Sequence, residues 1–578
     1  MSGVSRLRRI AGTAGFLLST AFFALSAEYS VSNATQFAET MSLVQPGDEI
    51  VWQDGTYDDL GSLVFEPSVQ GTEALPITLR AETPGGVIFR GNTYFNLGGH
   101  YLVLSGFRFD NSDYPFSDSD TAYVIINFRA HSDLDRHAYN CRVTDCAFIA
   151  YDNPSAGGSA KWIEMYGAAN RFDHNYVSGK TTRGALLVVE LSDQTNQITA
   201  AHTIDSNVFA DRLPGPLDNE YETVRVGTSI YSDENAHVTV EHNFFYRCSG
   251  EAEIVSNKSC ENTYRNNTFV ECAGSLTLRH GRGCRVEGNL FLGHGIAGSG
   301  GIRVANSDHI IVNNCMQDLA GTGYQAAFAI MYGSTNTQTN PDLLGSYGPV
   351  DNVILAHNTL VNVAEAVNYG VGKKKDRQLP PNNVTFAANI VSSTHAPLFS
   401  QEDPPTHLTN LNNIVWGASA GLAADPDLVV TNPLLAADCR GIFRPVTNSP
   451  AIGAAGTQTV LGGDLLDMDG ALRPLVGRDI GADQVGSGAQ PTAPLSTAEI
   501  GPGWLPLLIP AAIRITMDQT TSSISVTGTP NTRYVLETTT NLLSSWVPLM
   551  TNAADENGRL EFSDTDAAGS QQFYRTVQ

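Results

Sequence analysis

The segment Asn243-Phe-Phe-Tyr-Arg-Cys248 returns as Asn267-Thr-Phe-Val-Glu-Cys272, and again as Asn289-Leu-Phe-Leu-Gly-His294. Each copy starts with an asparagine and runs into apolar residues, the pattern of a short β-strand leaving a turn. The same Asn-x-apolar unit stands at Asn175-Tyr-Val, Asn207-Val-Phe, Asn314-Cys-Met, Asn358-Thr-Leu, Asn389-Ile-Val and Asn413-Ile-Val. Successive gaps are 32, 36, 24, 22, 25, 44, 31 and 24 residues, a base period near 24 with insertions. Short strands at a fixed period predict a solenoid, whereas propeller blades need about 40 residues or more. One coil per repeat gives a right-handed parallel β-helix. Its asparagines would stack and hydrogen-bond from coil to coil. Cys248 and Cys272 are 24 residues apart, as are Cys260 and Cys284. They fall at equivalent places on adjacent coils, which predicts a buried cysteine ladder rather than a disulfide.

Outward from the repeats, Ala34 to Val44 has weak helical character and suits a cap on the open end of the solenoid. Upstream, Arg6, Arg8 and Arg9 precede an apolar run from Ile10 to Ala27. This reads as a signal peptide over residues 1–27, with a secreted, periplasmic or cell-surface product and no membrane span after cleavage. The β-helix domain is expected over 28–485. Residues 486–512, rich in Pro, Gly, Ala and Ser, read as a linker. Residues 513–578 alternate apolar and polar and read as a small β-sandwich-like module.

The whole chain has 578 residues, 34 Lys+Arg and 59 Asp+Glu, for a net charge of −25. That sign disfavours nucleic acid and anionic membranes as partners. An acidic polymer would need a local cationic patch or a bound metal.

Counted from the asparagine that opens each coil, one sector of four successive coils is polar. It holds Asn219, then Glu251, Glu253 and Lys258, then Arg279 and His280, then Arg303. Coils stack about 4.8 Å apart, so these residues form a strip across one face. Glu251 and Glu253 alternate along a predicted strand and point the same way. With the Asn219 amide they offer hard oxygen ligands, suited to Ca²⁺ rather than zinc. The competing reading is a surface pair neutralised by Lys258 and Arg279. Lys258 beside Arg279 would have its pKa lowered by the like charge, which suits a base, and Arg279 could stabilise an oxyanion.

The run Gly250-Glu-Ala-Glu-Ile-Val-Ser-Asn-Lys258-Ser, with Leu276-Thr-Leu-Arg-His-Gly281, resembles the signature of polysaccharide lyase family 6. That family includes alginate lyases and chondroitinase B. Pro46-Gly-Asp-Glu-Ile, Asp54-Gly-Thr-Tyr57, Pro76-Ile-Thr-Leu-Arg-Ala81 and Asn219 followed by Arg225-Val-Gly resemble it too. The resemblance covers about residues 30–485. It implies a Ca-assisted β-elimination on a uronate polymer. Asn219, Glu251 and Glu253 would hold Ca²⁺, Lys258 would be the base and Arg279 the acid, and His280 and Arg303 would line the substrate groove. Alginate is the first expectation because most of the family resembles alginate lyases, and dermatan sulfate is the alternative. The Lys373-Lys-Lys-Asp-Arg377 loop reads equally as an anion contact or a solvated insertion.

Two other functions fit the fold. A hydrolase would need paired acids, and the adjacent pair Asp58-Asp59 lies far from the strip. A non-catalytic carbohydrate-binding β-helix would have no need of a base, an acid and a cation site on one face.

Overall fold

A computed structural model describes residues 26–577, except 116–123, 153–158, 192–198, 217–218, 335–345, 439, 457–464, 490–491, 496–499, 506–511, 519–520, 528–532, 540–546, 554–558 and 565–572. The leader reading therefore falls almost wholly outside the described residues. The chain divides into two units, Met1–Trp504 and Leu505–Gln578. Among the described residues, no helix is long and apolar enough to cross a membrane.

The first unit is a parallel β-helix. Its strands build three parallel sheets, the first and second of 14 strands each and the third of 12. A single coil shows the plan. Thr239–Glu241 lies in the first sheet, Phe244–Tyr246 in the second and Glu253–Lys258 in the third, before Thr263–Arg265 re-enters the first. Each strand pairs in register with its counterpart one coil on, as in Phe244↔Thr268 and Val255↔Leu276.

The corner between the first and second sheets is where the repeat asparagines sit. All nine are buried. The Asn267 side-chain oxygen accepts from the backbone N–H of Asn243 at 3.0 Å and from its Nδ2 at 3.1 Å. Its own Nδ2 donates to Val240 O at 2.9 Å and to Asn289 Oδ1 at 3.0 Å. The same bonds run from Asn175 to Asn413. The residue before each ladder asparagine has a left-handed backbone, with φ between +51° and +64° from His174 to Asn412. Of these nine, one alone is glycine, Gly288. The other corners hold L-residues in a conformation that costs each roughly 1–2 kcal/mol. The amide ladder offsets that cost by satisfying buried polar groups that would otherwise be orphaned.

Inside, Phe209, Phe245, Phe269 and Phe291 stack, with centroids 5.1, 4.6 and 4.6 Å apart. The seven described cysteines are free and buried. Cys248 N donates to Cys272 Sγ at 3.3 Å, so these two cysteines occupy adjacent coils as the spacing predicts. On the outer face of the first sheet, cations and acids interlock across coils: Arg142 with Asp173, Arg171 with Asp205 and Arg265 with Glu241.

Both ends of the solenoid are treated. The expected N-terminal helix spans Ala34–Thr40 and is capped by Asn33, whose Oδ1 accepts from Gln36 N at 3.0 Å. Its Phe37 packs on Trp52, Phe65 and Phe95 and closes the first coil. After the last coil the chain turns back along the outside of the helix. Ala451, Ala455 and Ile480 pack on Ile390 and Ile414. Ile442, Met468 and Ala482 pack on Leu290, Leu292 and Cys315. Further on, Leu495 N donates to Thr268 Oγ1, Gly501 N to Ser206 O and Trp504 Nε1 to Asp145 O. The composition of 486–512 predicts a linker, yet its described residues up to Trp504 belong to the β-helix unit. These described residues have no regular structure and are held there by single hydrogen bonds from Leu495, Gly501 and Trp504 to the coils, so composition alone did not reveal it.

The second unit consists of two three-stranded antiparallel sheets. Ala512–Asp518, Thr521–Thr527 and Arg559–Asp564 form one, and Arg533–Thr539, Val547–Ala553 and Phe573–Val577 the other. Ile524, Val526, Leu560 and Phe562 pack against Tyr534 and Leu536, the arrangement of a small β-sandwich.

Replacing Asn267 by Leu removes four hydrogen bonds, those to the Asn243 N–H and Val240 carbonyl of the preceding coil and those to the Asn243 and Asn289 side chains. The expected loss is ~3 kcal/mol, read from the denaturant midpoint. A loss below about 0.5 kcal/mol would show that the ladder does not carry the corner.

Candidate active site

The third sheet carries the polar strip. Its strands Glu253–Lys258, Gly274–His280 and Ser299–Val304 are buried almost throughout, although they hold Glu253, Lys258, Arg279, His280 and Arg303. The strip is therefore a sunken cleft and not a solvated face. Arg225, Ser256, Thr277 and Arg303 follow one another in register across four coils.

Glu253 is the electrostatic centre. Arg279 Nη1 donates to its Oε1 at 2.9 Å and Arg303 Nη1 at 3.3 Å, while Ser256 Oγ donates to Oε2 at 2.6 Å. Burial pushes this carboxyl up, but the two guanidiniums and the serine hold it down at about 2. Tyr347 lies over the group. Its hydroxyl is 3.4 Å from Glu253 Oε1, and the guanidiniums of Arg279 and Arg377 sit 5.4 and 4.8 Å from its ring centre. The Lys373–Arg377 loop thus places Arg377 against the cleft, with Lys373 ion-paired to Asp403. Burial drives the His280 imidazole down to about 3, with Arg279 and Lys258 adding to the effect, so the ring is neutral. Its Nε2 is buried without a partner among the described residues.

Glu251 behaves in the opposite way to Glu253. Burial first, then the charges of Glu222 and Glu253, push it up to about 8. Among the described residues neither its Oε1 nor Glu222 Oε2, both buried, has a hydrogen-bond partner. The corner therefore holds three carboxylates, of which Glu222 and Glu251 each keep an oxygen to spare. That donor set fits a hard cation. Glu253 has no oxygen left over, being taken by Arg279, Arg303, Tyr347 and Ser256.

Several sequence readings need adjustment. Glu251 precedes the strand, which begins at Glu253, and the register slips between Glu253 and Val255. The two glutamates share the corner without alternating along one strand. Lys258 pairs with Glu222 at 3.3 Å and lies level with His280, not beside Arg279. Asn219 is exposed, and no bond links it to Glu251 or Glu253. Glu222 is the residue that counting from the asparagines misses. Extra residues between Asn207 and the third sheet shift the frame, so that Thr223 N donates to Ile254 O and Glu222 stands level with Glu253. The signal available was the Asn219-Glu-Tyr-Glu222 run itself.

Other acidic groups lie outside the cleft. Asp173, His174 and Asp205, and separately Asp467, Asp469 and Asp483, cluster closely enough to hold a metal. The first set is engaged by Arg142 and Arg171, the second by Arg444.

The family model described as Chondroitinase B matches residues 31–417, the stretch that contains the whole cleft. The chain belongs to that family, polysaccharide lyase family 6. Solved structures agree. A variant of the PL6 family alginate lyase AlyGC is 30% identical with a TM-score of 0.70, over 84% of this chain and 60% of that one. A mannuronic acid specific family 6 lyase from human gut microbiota is 32% identical with a TM-score of 0.59, over 68% of this chain and 86% of that one. The polysaccharide lyase Pedsa3628 from Pseudopedobacter saltans, 22% identical with a TM-score of 0.57, shares the fold over 82% of this chain and 99% of its own. This family 6 chain spans 60% of the length of AlyGC. No curated protein matches it.

The Glu251 shift makes a prediction with a definite sign. A raised carboxyl favours the fold while protonated. That contribution is complete below 4.5, the ordinary value, and is lost as pH rises through about 8. In chelator, Glu251→Gln is expected to raise Tm at about pH 9 by several degrees more than at about pH 5. Equal shifts at both pH values would remove the carboxylate crowding inferred for this corner.

Proposed function

We propose that this protein is an exported polysaccharide lyase that cleaves a uronate polymer, alginate in the first place, by β-elimination. The observation that carries the proposal is the grouping of Lys258, Arg279, neutral His280 and Arg303 around a three-carboxylate corner in one buried cleft. Membership of family 6 supports it, as do the similar structures of the alginate lyase AlyGC at 30% identity and of the mannuronic acid specific family 6 lyase at 32%.

The C5 proton of a uronate is too weakly acidic to leave unaided. Lys258, whose Nζ stands 3.3 Å from Glu222 at the edge of the acidic corner, is the residue that takes that proton. Electrons move from the C5–H bond into a C4–C5 double bond, and the C4–O bond breaks. The departing oxygen receives a proton from Arg279 or from a water that Arg279 positions. Arg303 and the free Nε2 of His280 orient the sugar. Glu222 and Glu251, each with an oxygen to spare, are the residues of this corner that would hold Ca²⁺, whereas the sequence-expected ligands Asn219 and Glu253 are respectively exposed and already taken by Arg279 and Arg303. A cation there would neutralise the C6 carboxylate and stabilise the enolate-like charge. The products carry a 4,5-unsaturated uronate at the new non-reducing end. The same cleft answers the charge problem, because a chain of net charge −25 meets an acidic polymer through Arg279, Arg303, Arg377 and Lys258.

The Chondroitinase B description favours dermatan sulfate as the second substrate to test. The deciding experiment follows ultraviolet absorbance with separate alginate block polymers and with dermatan sulfate, each with Ca²⁺ and with chelator. A rise on alginate that chelator abolishes is expected. A rise on dermatan sulfate alone would transfer the assignment to that polymer, and a rise unaffected by chelator would remove the cation's role. Lys258→Ala is expected to lower kcat by at least about 10³-fold while polymer binding persists. Should neither polymer react while both bind, the carbohydrate-binding reading would replace the lyase.

A further inference from the structure

Behind the acidic corner lies a buried cationic network that the proposed reaction does not use. Lys180 and Arg212 are both fully buried. Lys180 Nζ donates to Thr182 Oγ1 at 2.7 Å and to Thr182 O at 3.1 Å, and lies 3.6 Å from Asp152. Asp152 in turn accepts from Trp162 Nε1 at 2.9 Å and from Thr182 N at 2.9 Å. This pins the 180–184 turn. Arg212 then grips the turn from the next coil, donating to Lys180 O at 2.8 Å, Thr182 O at 2.9 Å and Gly184 O at 3.0 Å. Among the described residues no carboxylate accepts a hydrogen bond from it. A buried guanidinium spent on three carbonyls is costly unless the position of that backbone matters.

What Arg212 touches next is the acidic corner. Its guanidinium lies 4.9 Å from the centre of the Tyr221 ring, the residue before Glu222. Its backbone carbonyl accepts from Ser249 N at 2.7 Å, two residues before Glu251. Gly250 is wedged between them: a Cβ there would come within 2.2 Å of Tyr221 O and 3.0 Å of Arg212 Cγ. The turn that Arg212 holds closes the circuit, because Gly184 N donates to Glu220 O at 2.7 Å and Arg183 pairs with Glu220 at 2.5 Å. The Arg212 side chain therefore bears on the segment that carries Glu222, while its backbone carbonyl and its Cγ, close against Gly250, seat the segment that carries Glu251.

We propose that Arg212 is a positioning residue, anchored by the Lys180–Asp152 pair, that sets the separation of Glu222 and Glu251 and so the affinity of the corner for a divalent cation. The inference rests on the reading of that corner as a cation site. Isothermal titration of the full chain with CaCl₂ tests it, using Arg212→Lys, which keeps the charge and loses the forked donors. Arg473→Lys is the control. Arg473 is equally buried and also donates to carbonyls, at Gly481 and Ala482, away from the cleft.

Arg212→Lys is expected to weaken Ca²⁺ binding about tenfold or more. Its kcat at saturating Ca²⁺ should stay within about threefold of the parent. Arg473→Lys should lower Tm but leave Ca²⁺ affinity unchanged. If Arg212→Lys does not fold, Tyr221→Leu removes the ring under the guanidinium and should weaken binding in the same direction. Unchanged affinity in the Arg212 or Tyr221 variant, or equal losses in the Arg473 control, would overturn the positioning role and leave the cation site standing. A parent protein that takes up no Ca²⁺ would overturn both.

Discussion

The interaction on which the rest of this structure depends is the hydrogen bond between stacked asparagine side chains at one corner of the coil. Each amide accepts from the asparagine of the preceding coil and donates to that of the next, inside a desolvated corner. A one-residue slip would strip every member of its partners, so the ladder fixes register along the solenoid. It also holds eight non-glycine residues in a left-handed conformation they would not adopt alone. The strain and the ladder are one device.

This rigidity is confined to one corner, and the site follows from that. The passage from first sheet to second is a tight turn in every coil that carries a ladder asparagine. The extra residues that stretch the repeat from 22 to 44 enter on either side of the third sheet. Loops can therefore vary around the third sheet without disturbing the frame. Its strands in turn supply a stiff floor on which Glu253, Arg279 and Arg303 hold each other within 3.3 Å. Loop-borne residues such as Tyr347 and Arg377 then close over that floor.

The ladder was legible in the sequence because its chemistry needs one residue type at one place in each period. The repeat and the cysteine stack followed for the same reason, and the capping helix from the helical character of the segment after Asn33. The cleft was legible only in part. Lys258, Arg279, His280 and Arg303 do converge, since the coils between Asn243 and Asn314 are short and counting keeps its frame there. Glu222 was hidden because the preceding coil is longer, and linear counting assigned its place to Asn219. The opposite fates of Glu251 and Glu253 were also out of reach. They depend on which carboxylate the two arginines grip, and no spacing reveals that. The back-folded tail was hidden because its contacts are scattered small apolar residues and single hydrogen bonds, with no period to mark them in the sequence.

That tail changes the physics of the solenoid. In a simple repeat array each coil feels only its two neighbours, so the ends fray first and stability grows by increments. Here the chain beyond the last coil runs back past Ile414, Cys315, Thr268 and Ser206 as far as Asp145 and Gly85. Coils more than 250 residues apart in sequence are thereby contacted by the described residues of one tail. Loss of a terminal coil also costs contacts in the middle of the array. A one-dimensional stack becomes a closed loop of interactions, which unfolds as a unit where an open stack would peel.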